Sequence, residues 1–431
     1  MKKLRIALAL CLLLTGCAPE TPSGSAPPEA SSALPPVSSS LSSQPEDPQP
    51  QAEFKGVWVS YIELNALLKD ATPAGAKAAL DDMMDNCVSY GMNAVVFHVR
   101  ANSDAYYASK LFQPAAAAAP LLEEGFDPLA HAVEAAHARG LELHAWINPY
   151  RIGRNPDYRA ADIEDYFADE SGSSPVYWYV PTSAAVQKKI LDGVREIVDN
   201  YAVDGIQYDD YFYPHGILPA DEPASCEKAD YEASGGSLTV GDWRRTGVDA
   251  LIAGTYRAAH RRAGCVFGVS PSHDYEKTRE QGYADTVKWL ETAGYVDYLC
   301  PQIYFGFSHA SSAFDGQVAL WESFSPAAGV RLYVGLGIYK AGISPDRWAG
   351  ASGRTEWAGE GDVLERSVEL LRRQNHVSGM LFYSYSFFEP DTPRSLDSWT
   401  EDGKTVAQTY DREAAAREVE NLLPLLREGE A

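Results

Sequence analysis

Residues 204 to 214 read Asp-Gly-Ile-Gln-Tyr-Asp-Asp-Tyr-Phe-Tyr-Pro, and this stretch concentrates more chemistry than any other in the chain. An apolar run from Gly205 to Tyr208 fits a buried strand. Two adjacent carboxylates follow, Asp209 and Asp210, then Tyr211, Phe212, Tyr213 and Pro214. Side chains alternate along a strand, so the two aspartates point to opposite sides, and the sequence leaves open which one faces inward. If Asp209 does, it is the candidate nucleophile or charge stabiliser, and Asp210 orients it. Carboxylates that move protons or steady a developing positive charge, beside rings that stack on sugar faces, are what cleavage of a glycosidic bond requires.

Such chemistry commonly uses two carboxyl groups, about 5 to 5.5 Å apart for retention and about 6.5 to 9.5 Å for inversion. The candidates for a partner are Asp274 and Asp104, with Glu63 behind them. Each has a structural alternative: Asp104 caps a turn before Tyr106, and Asp274 holds His273. A substrate-assisted route would want a Glu acid just after the aspartates, where Tyr211 stands. His98, His144 and His273 form no HxH or HExxH pair, so no metal or cofactor is expected.

These residues need a scaffold. From Phe54 onward, eight short apolar runs alternate with amphipathic stretches. The runs are 56–62, 93–99, 141–147, 205–209, 267–270, 296–303, 332–338 and 379–385. Helices are expected over 76–90, 128–139, 182–201, 241–263, 283–293, 363–375 and 412–427, with Gly91, Gly140 and Gly264 as C-caps. The alternation predicts an α/β fold, a (β/α)₈ barrel of the TIM type, because the Gly-rich phosphate turn of a doubly wound sheet is missing. Barrel sites gather where strands end. Each run does end in polar or aromatic residues, among them Arg100 and Asp104, Trp146 and Asn148, Gln302 and Tyr304, Tyr339, and Tyr383. Arg100 is a candidate clamp on a sugar hydroxyl or carboxylate. Trp146, Tyr211, Tyr304, Tyr339 and Tyr383 are candidate sugar platforms.

Composition narrows the partners. The 431 residues carry a formal charge of −24, which argues against nucleic acid or an anionic membrane surface. The 25 Tyr and 9 Trp exceed what a core alone would use. Lys2, Lys3 and Arg5 precede a short apolar run, Ile6 to Leu14, and Leu14-Thr15-Gly16-Cys17 then forms a lipoprotein cleavage box. Residues 1–17 are therefore expected to be a signal with lipidation at Cys17, and the protein to be extracytoplasmic and held to the cell membrane by that lipid anchor. Loss of those three basic residues takes the charge from −24 to −27. Residues 18–51, rich in Pro and Ser, are expected to be a disordered tether, and residues 52–431 the folded body, a monomer. Cys87, Cys226, Cys265 and Cys300 remain, and no spacing pairs them.

The phrases FKGVWVS, NAVVFHVRANSDAYY, LELHAWINPYR, DGIQYDDYFYP, YADTVKWL and VDYLCPQIYF resemble, in order, the glycosyl-hydrolase-like 10 family of bacterial exported proteins. The resemblance implies a TIM-type barrel and glycosidase activity, and a substrate of peptidoglycan glycan strands, particularly those stripped of stem peptides. It also implies roles for Asp209 and Asp210, and for Asn148 and Gln302 as cleft residues. Many relatives carry a Trp-containing phrase after the fifth strand; here the sequence is Ser-Pro-Ser-His-Asp-Tyr. Two other readings fit the residues. One is a non-catalytic glycan-binding lipoprotein on a degenerate barrel, because the second carboxylate is not obvious. The other is a metal-dependent hydrolase such as a deacetylase.

Overall fold

The computed structural model describes residues 52–161, 163–359 and 361–428. The signal, the Cys17 lipidation and the tether read from residues 1–51 lie outside the described residues. Eight parallel strands close into a barrel in chain order. They are β1 (Phe54–Val59), β2 (Ala94–Arg100), β3 (Glu142–Ile147), β4 (Gly205–Tyr208), β5 (Val266–Val269), β6 (Tyr298–Leu299), β7 (Arg331–Leu336) and β8 (Val377–Tyr383). Helices such as Pro73–Ser89, Pro128–His137, Ala184–Asn200, Val240–Ala259 and Val363–Leu371 cover the outside. The chain thus forms the (β/α)₈ barrel that its alternation predicts. Gly91, Gly140 and Gly264 end helices at φ of 80°, 71° and 83°, a region that costs other residues energy.

Two strands, β1 and β6, stop well before the apolar runs that announce them end. β1 stops at Val59 because the Glu63 Oε2 accepts the Ser60 N–H at 2.6 Å, which starts the helix Tyr61–Leu68. β6 is two residues long because Pro301 has no N–H to give the ladder. Pairing resumes at Gln302, which bridges Ser272 on one side and Gly335 on the other. A three-stranded antiparallel sheet follows β3, with Val176–Tyr179 between Arg151–Gly153 and Tyr166–Asp169. The sequence pattern does not announce it, because its strands are three or four residues of mixed polarity.

The barrel interior is aromatic and carries a hydrogen-bonded column. Trp58 Nε1 donates to Gln207 Oε1 at 2.5 Å, and Gln207 Nε2 donates to the Tyr298 hydroxyl at 3.1 Å. His144 lies 2.9 Å from that hydroxyl through Nδ1 and 3.2 Å from Glu142 through Nε2. The column runs from the Trp58 level down to Glu142, where β3 begins. Gly268 makes room for it, since a Cβ there would sit 2.0 Å from the Tyr298 ring. The opposite faces of the strands meet the helices through Val, Ile, Leu and Met side chains in one continuous core. Cys87, Cys265 and Cys300 are buried there or in the barrel, Cys226 is half-buried, and all four are free thiols.

The described body begins and ends at the strands' N-terminal side. Lys55, at the start of β1, donates through Nζ to the Leu426 carbonyl of the final helix, Arg412–Arg427. Gly91, three residues before β2, lies so close to that carbonyl that a Cβ would approach it to 2.6 Å.

Candidate active site

At the strands' C-terminal ends lies a cavity of about 220 Å³. Strand parity decides what lines it. Gln207 points to the axis and Tyr208 outward, where its hydroxyl lies 2.8 Å from Thr255 Oγ1 on a covering helix. Asp209 therefore returns to the axis. Both aspartates lie past Tyr208, the last residue of β4; Asp209 still follows the alternation, Asp210 does not, and both line the cavity. The dipeptide so places both acids at one surface.

Their surroundings differ. Asp209 Oδ1 accepts two hydrogen bonds at 2.8 Å, from Gln302 Nε2 and from the backbone N–H of Asp210. Gln302 is itself fixed by donating to the Ser270 carbonyl at 3.1 Å. Burial raises the Asp209 carboxyl above the ordinary aspartate range, opposed by these hydrogen bonds and by the positive charge of Arg151, which lines the same cavity. Asp210 is held well above its ordinary range, first by burial and then by the Asp209 charge next to it. Two carboxyl groups this close do not both ionise. The hydrogen bonds to Asp209 favour its charged form, so a proton shared by the pair is held more tightly at Asp210. The arrangement is an anion and a proton donor side by side.

Rings make the walls. Trp146 stacks on His98 with centroids 3.6 Å apart and planes 9° from parallel. Burial, then the Arg151 charge, holds His98 well below its ordinary range, so this imidazole is neutral at pH 7. Asn148 accepts from Trp146 Nε1 and donates to the Ala101 carbonyl, both at 3.1 Å. On the other side Tyr304 and Tyr383 stack at 5.9 Å. Tyr211 stands 37 % exposed at the rim, with the Arg151 guanidinium 5.5 Å from its ring centre.

The structure thus brings Asp209, Asp210, Trp146, Asn148, Tyr211, Gln302, Tyr304 and Tyr383 to one cavity. The remaining candidates are elsewhere. Asp274 caps the helix Tyr275–Gln281 by accepting the Lys277 N–H at 2.9 Å. Asp104 is buried in a two-residue strand paired with Gln113–Pro114. Glu63 is saturated, accepting from Ser60 N, from Ser384 Oγ at 2.8 Å and from Ser386 N at 2.7 Å. Arg100 faces the helix layer, its guanidinium 3.8 Å from the Phe112 ring centre. The ladder shifts register between His98 and Arg100, so the parity that aims His98 at the cavity does not carry Arg100 with it. Gly193 opposite is an accommodation, since a Cβ there would sit 2.2 Å from Arg100 Nη1. Tyr339 stands one ring behind the cavity, perpendicular to Tyr304 and Tyr383 at 5.9 Å from each.

Sequence reasoning names Ser60, Tyr61, His98 and Arg151 as strand-end residues without giving them a site role and does not name Trp58, yet all five line the cavity. Their signal was position: each sits at or just past the end of β1, β2 or β3. The segment after the aspartates is also held firmly. Phe212 and Trp289 meet edge-on at 5.5 Å, and the Tyr213 hydroxyl donates to Glu227 at 2.8 Å. Glu227 is in turn paired with Arg244, both fully buried.

Residues 53–348, most of the folded body, match the family described as glycosyl hydrolase-like 10. The chain belongs to that family. It is a glycoside hydrolase, and the cavity with its two aspartates is the candidate site of that activity. The chain is 29% identical to the glycosyl hydrolase DigH of Escherichia coli K12 over 91% of its length and 94% of the relative's. It is likewise 29% identical to the glycosyl hydrolase YngK of Bacillus subtilis 168, over 77% of this chain and 69% of YngK. Among solved structures it resembles the glycoside hydrolase domain of PgaB (BpsB) from Bordetella bronchiseptica, with a TM-score of 0.55 and 13% identity over 79% of this chain and 97% of that one. That likeness concerns the fold.

Proposed function

We propose that this glycoside hydrolase cleaves a bacterial cell-wall glycan, namely peptidoglycan strands that lack stem peptides, and that it works outside the cytoplasm on a lipid anchor at Cys17. The observation that carries the chemistry is the unequal carboxyl pair on an aromatic-walled cavity, Asp209 held by two hydrogen bonds and Asp210 raised further by burial and by its neighbour's charge. Among the described residues lining it, these two are the acids. Neither stands across the cavity from the other as a separate nucleophile would, so the missing group is supplied by the substrate. An N-acetyl oxygen on the sugar attacks C1 as the glycosidic C–O bond breaks, and the departing oxygen takes the Asp210 proton. Asp209 steadies the positive charge of the cyclic intermediate. Water then opens that ring at C1 and returns a proton to Asp210. Tyr211 in the place of a further acid is no obstacle, because Asp210 does that work. The strongly negative charge of the chain disfavours a highly anionic glycan.

The test is to incubate the purified protein with intact and with amidase-stripped peptidoglycan and to identify the soluble sugars. Release from the stripped polymer, abolished by Asp210→Asn, is the expected result; absence of release from both polymers overturns the proposal. The anchor is tested separately. Cys17→Ala should move the protein from the detergent phase to the aqueous phase in detergent partitioning, and an unchanged distribution excludes lipid at Cys17.

A further inference from the structure

Beside the catalytic cavity lies a second groove of about 230 Å³. Its most conspicuous residue is Trp348, 71 % exposed. An indole is a large apolar surface to leave in water, and such exposure marks a surface that something covers. The Arg347 guanidinium stands 4.5 Å from its ring centre and 5.4 Å from that of Trp399, on the hairpin Ser398–Glu401/Lys404–Ala407. Polar groups line the floor and far wall. Lys340 Nζ donates to the buried Asp346 at 2.8 Å, and Gln408 is held by donating to the Pro345 carbonyl and accepting from the Asp397 N–H. A flat ring flanked by fixed hydroxyl-matching donors and acceptors is a sugar-binding composition.

The groove and the cavity share a wall. Tyr339 lines the groove, and its ring stands perpendicular to Tyr304 and Tyr383 of the cavity at 5.9 Å from each. A single layer of rings therefore separates the groove that holds Trp348 from the cavity that holds the aspartates. Much of the groove comes from residues after 348, where the family match ends, including Trp357, Ser395, Asp397 and Gln408.

We propose that this groove is a distal subsite for further sugar units of the strand whose bond lies at Asp209 and Asp210. The inference rests on the reading of the cavity as the place where a glycan is cut. The position of the groove one ring away from the cavity selects that occupant over a second copy of the chain.

The test compares Trp348→Ala with the parent on stripped peptidoglycan strands and on chitin oligomers, each as long chains and as di- and trisaccharide fragments. Because Trp348 is exposed, its truncation leaves the core intact, and Leu238→Ala, 45 % exposed elsewhere, is the control. Binding is measured in an Asp210→Asn background, and kcat and KM in the active one. The expected result is a five- to tenfold fall in the preference for long chains over fragments, seen in affinity and in KM, with Leu238→Ala without effect. Trp348-independent binding of long chains overturns the subsite even if cleavage is intact, and so does failure to bind any of these glycans. Trp348-dependent binding without cleavage by the active protein would instead keep the subsite and overturn the proposed reaction.

Discussion

Burial raises both of two aspartates that differ by one position in the chain, and their other partners then set them apart. Asp209 collects a side-chain amide, a backbone N–H and the field of Arg151, while Asp210 collects mainly burial and its neighbour's charge. The rate should therefore be bell-shaped in pH. As pH falls, Asp209 protonates and the stabilising charge is lost; as pH rises, Asp210 gives up the proton it must deliver. Both carboxyls are raised from 3.8, so both limbs should lie above ordinary aspartate titration. Replacing Asp210 with Asn should cost about 10²- to 10⁴-fold in kcat and abolish the alkaline limb of the residual rate. A pH–rate series on parent and variant decides it; an alkaline limb that survives the substitution assigns the proton elsewhere.

At the scale of elements, the legible part of the sequence was the alternation of apolar runs with amphipathic stretches, and it located all eight strands. What escaped it were places where a short-range interaction overrode the pattern. A capping pair at Ser60 and Glu63 ended β1, Pro301 shortened β6, and a register shift turned Arg100 away from the cavity. Asp104 and Asp274 stood near strand ends in the sequence, but turn and cap geometry placed them off the cavity, which proximity in the chain could not reveal. One helix contact makes its own prediction. Glu418, on the last helix, is fully buried and accepts the N–H groups of Val363 and Leu364 at the start of Val363–Leu371. Burial raises it from 4.5 to about 7. A carboxyl raised on folding stabilises through its neutral form, fully below the unfolded value and progressively less as pH rises through the folded one. The protein should thus lose up to ~3 kcal/mol of stability from this group between about pH 4.5 and 8. Denaturation curves across that range should be flatter for Glu418→Gln, and an equal slope would show that the group does not titrate on unfolding.

For the whole molecule, the division of labour follows the two layers of the barrel. The outer interface is largely apolar, mixing aliphatic with aromatic side chains, and positions the strands. The inner one is aromatic and polar, and it grades upward into the cavity without a change of fold. This is why the site was partly readable from sequence: barrel chemistry belongs to strand ends, and strand ends are marked by where the apolar runs stop. The antiparallel sheet after β3, which brings Arg151 to the rim, and the hairpin bearing Trp399 were not readable, because three- and four-residue strands carry too little periodicity to register.

All eight strands point the same way, and β1 starts only two residues into the described body. Ala52 and the last turn of the final helix consequently emerge at the blunt base, about 20 Å of strand away from the opening. A fusion partner attached at either end would leave the mouth clear.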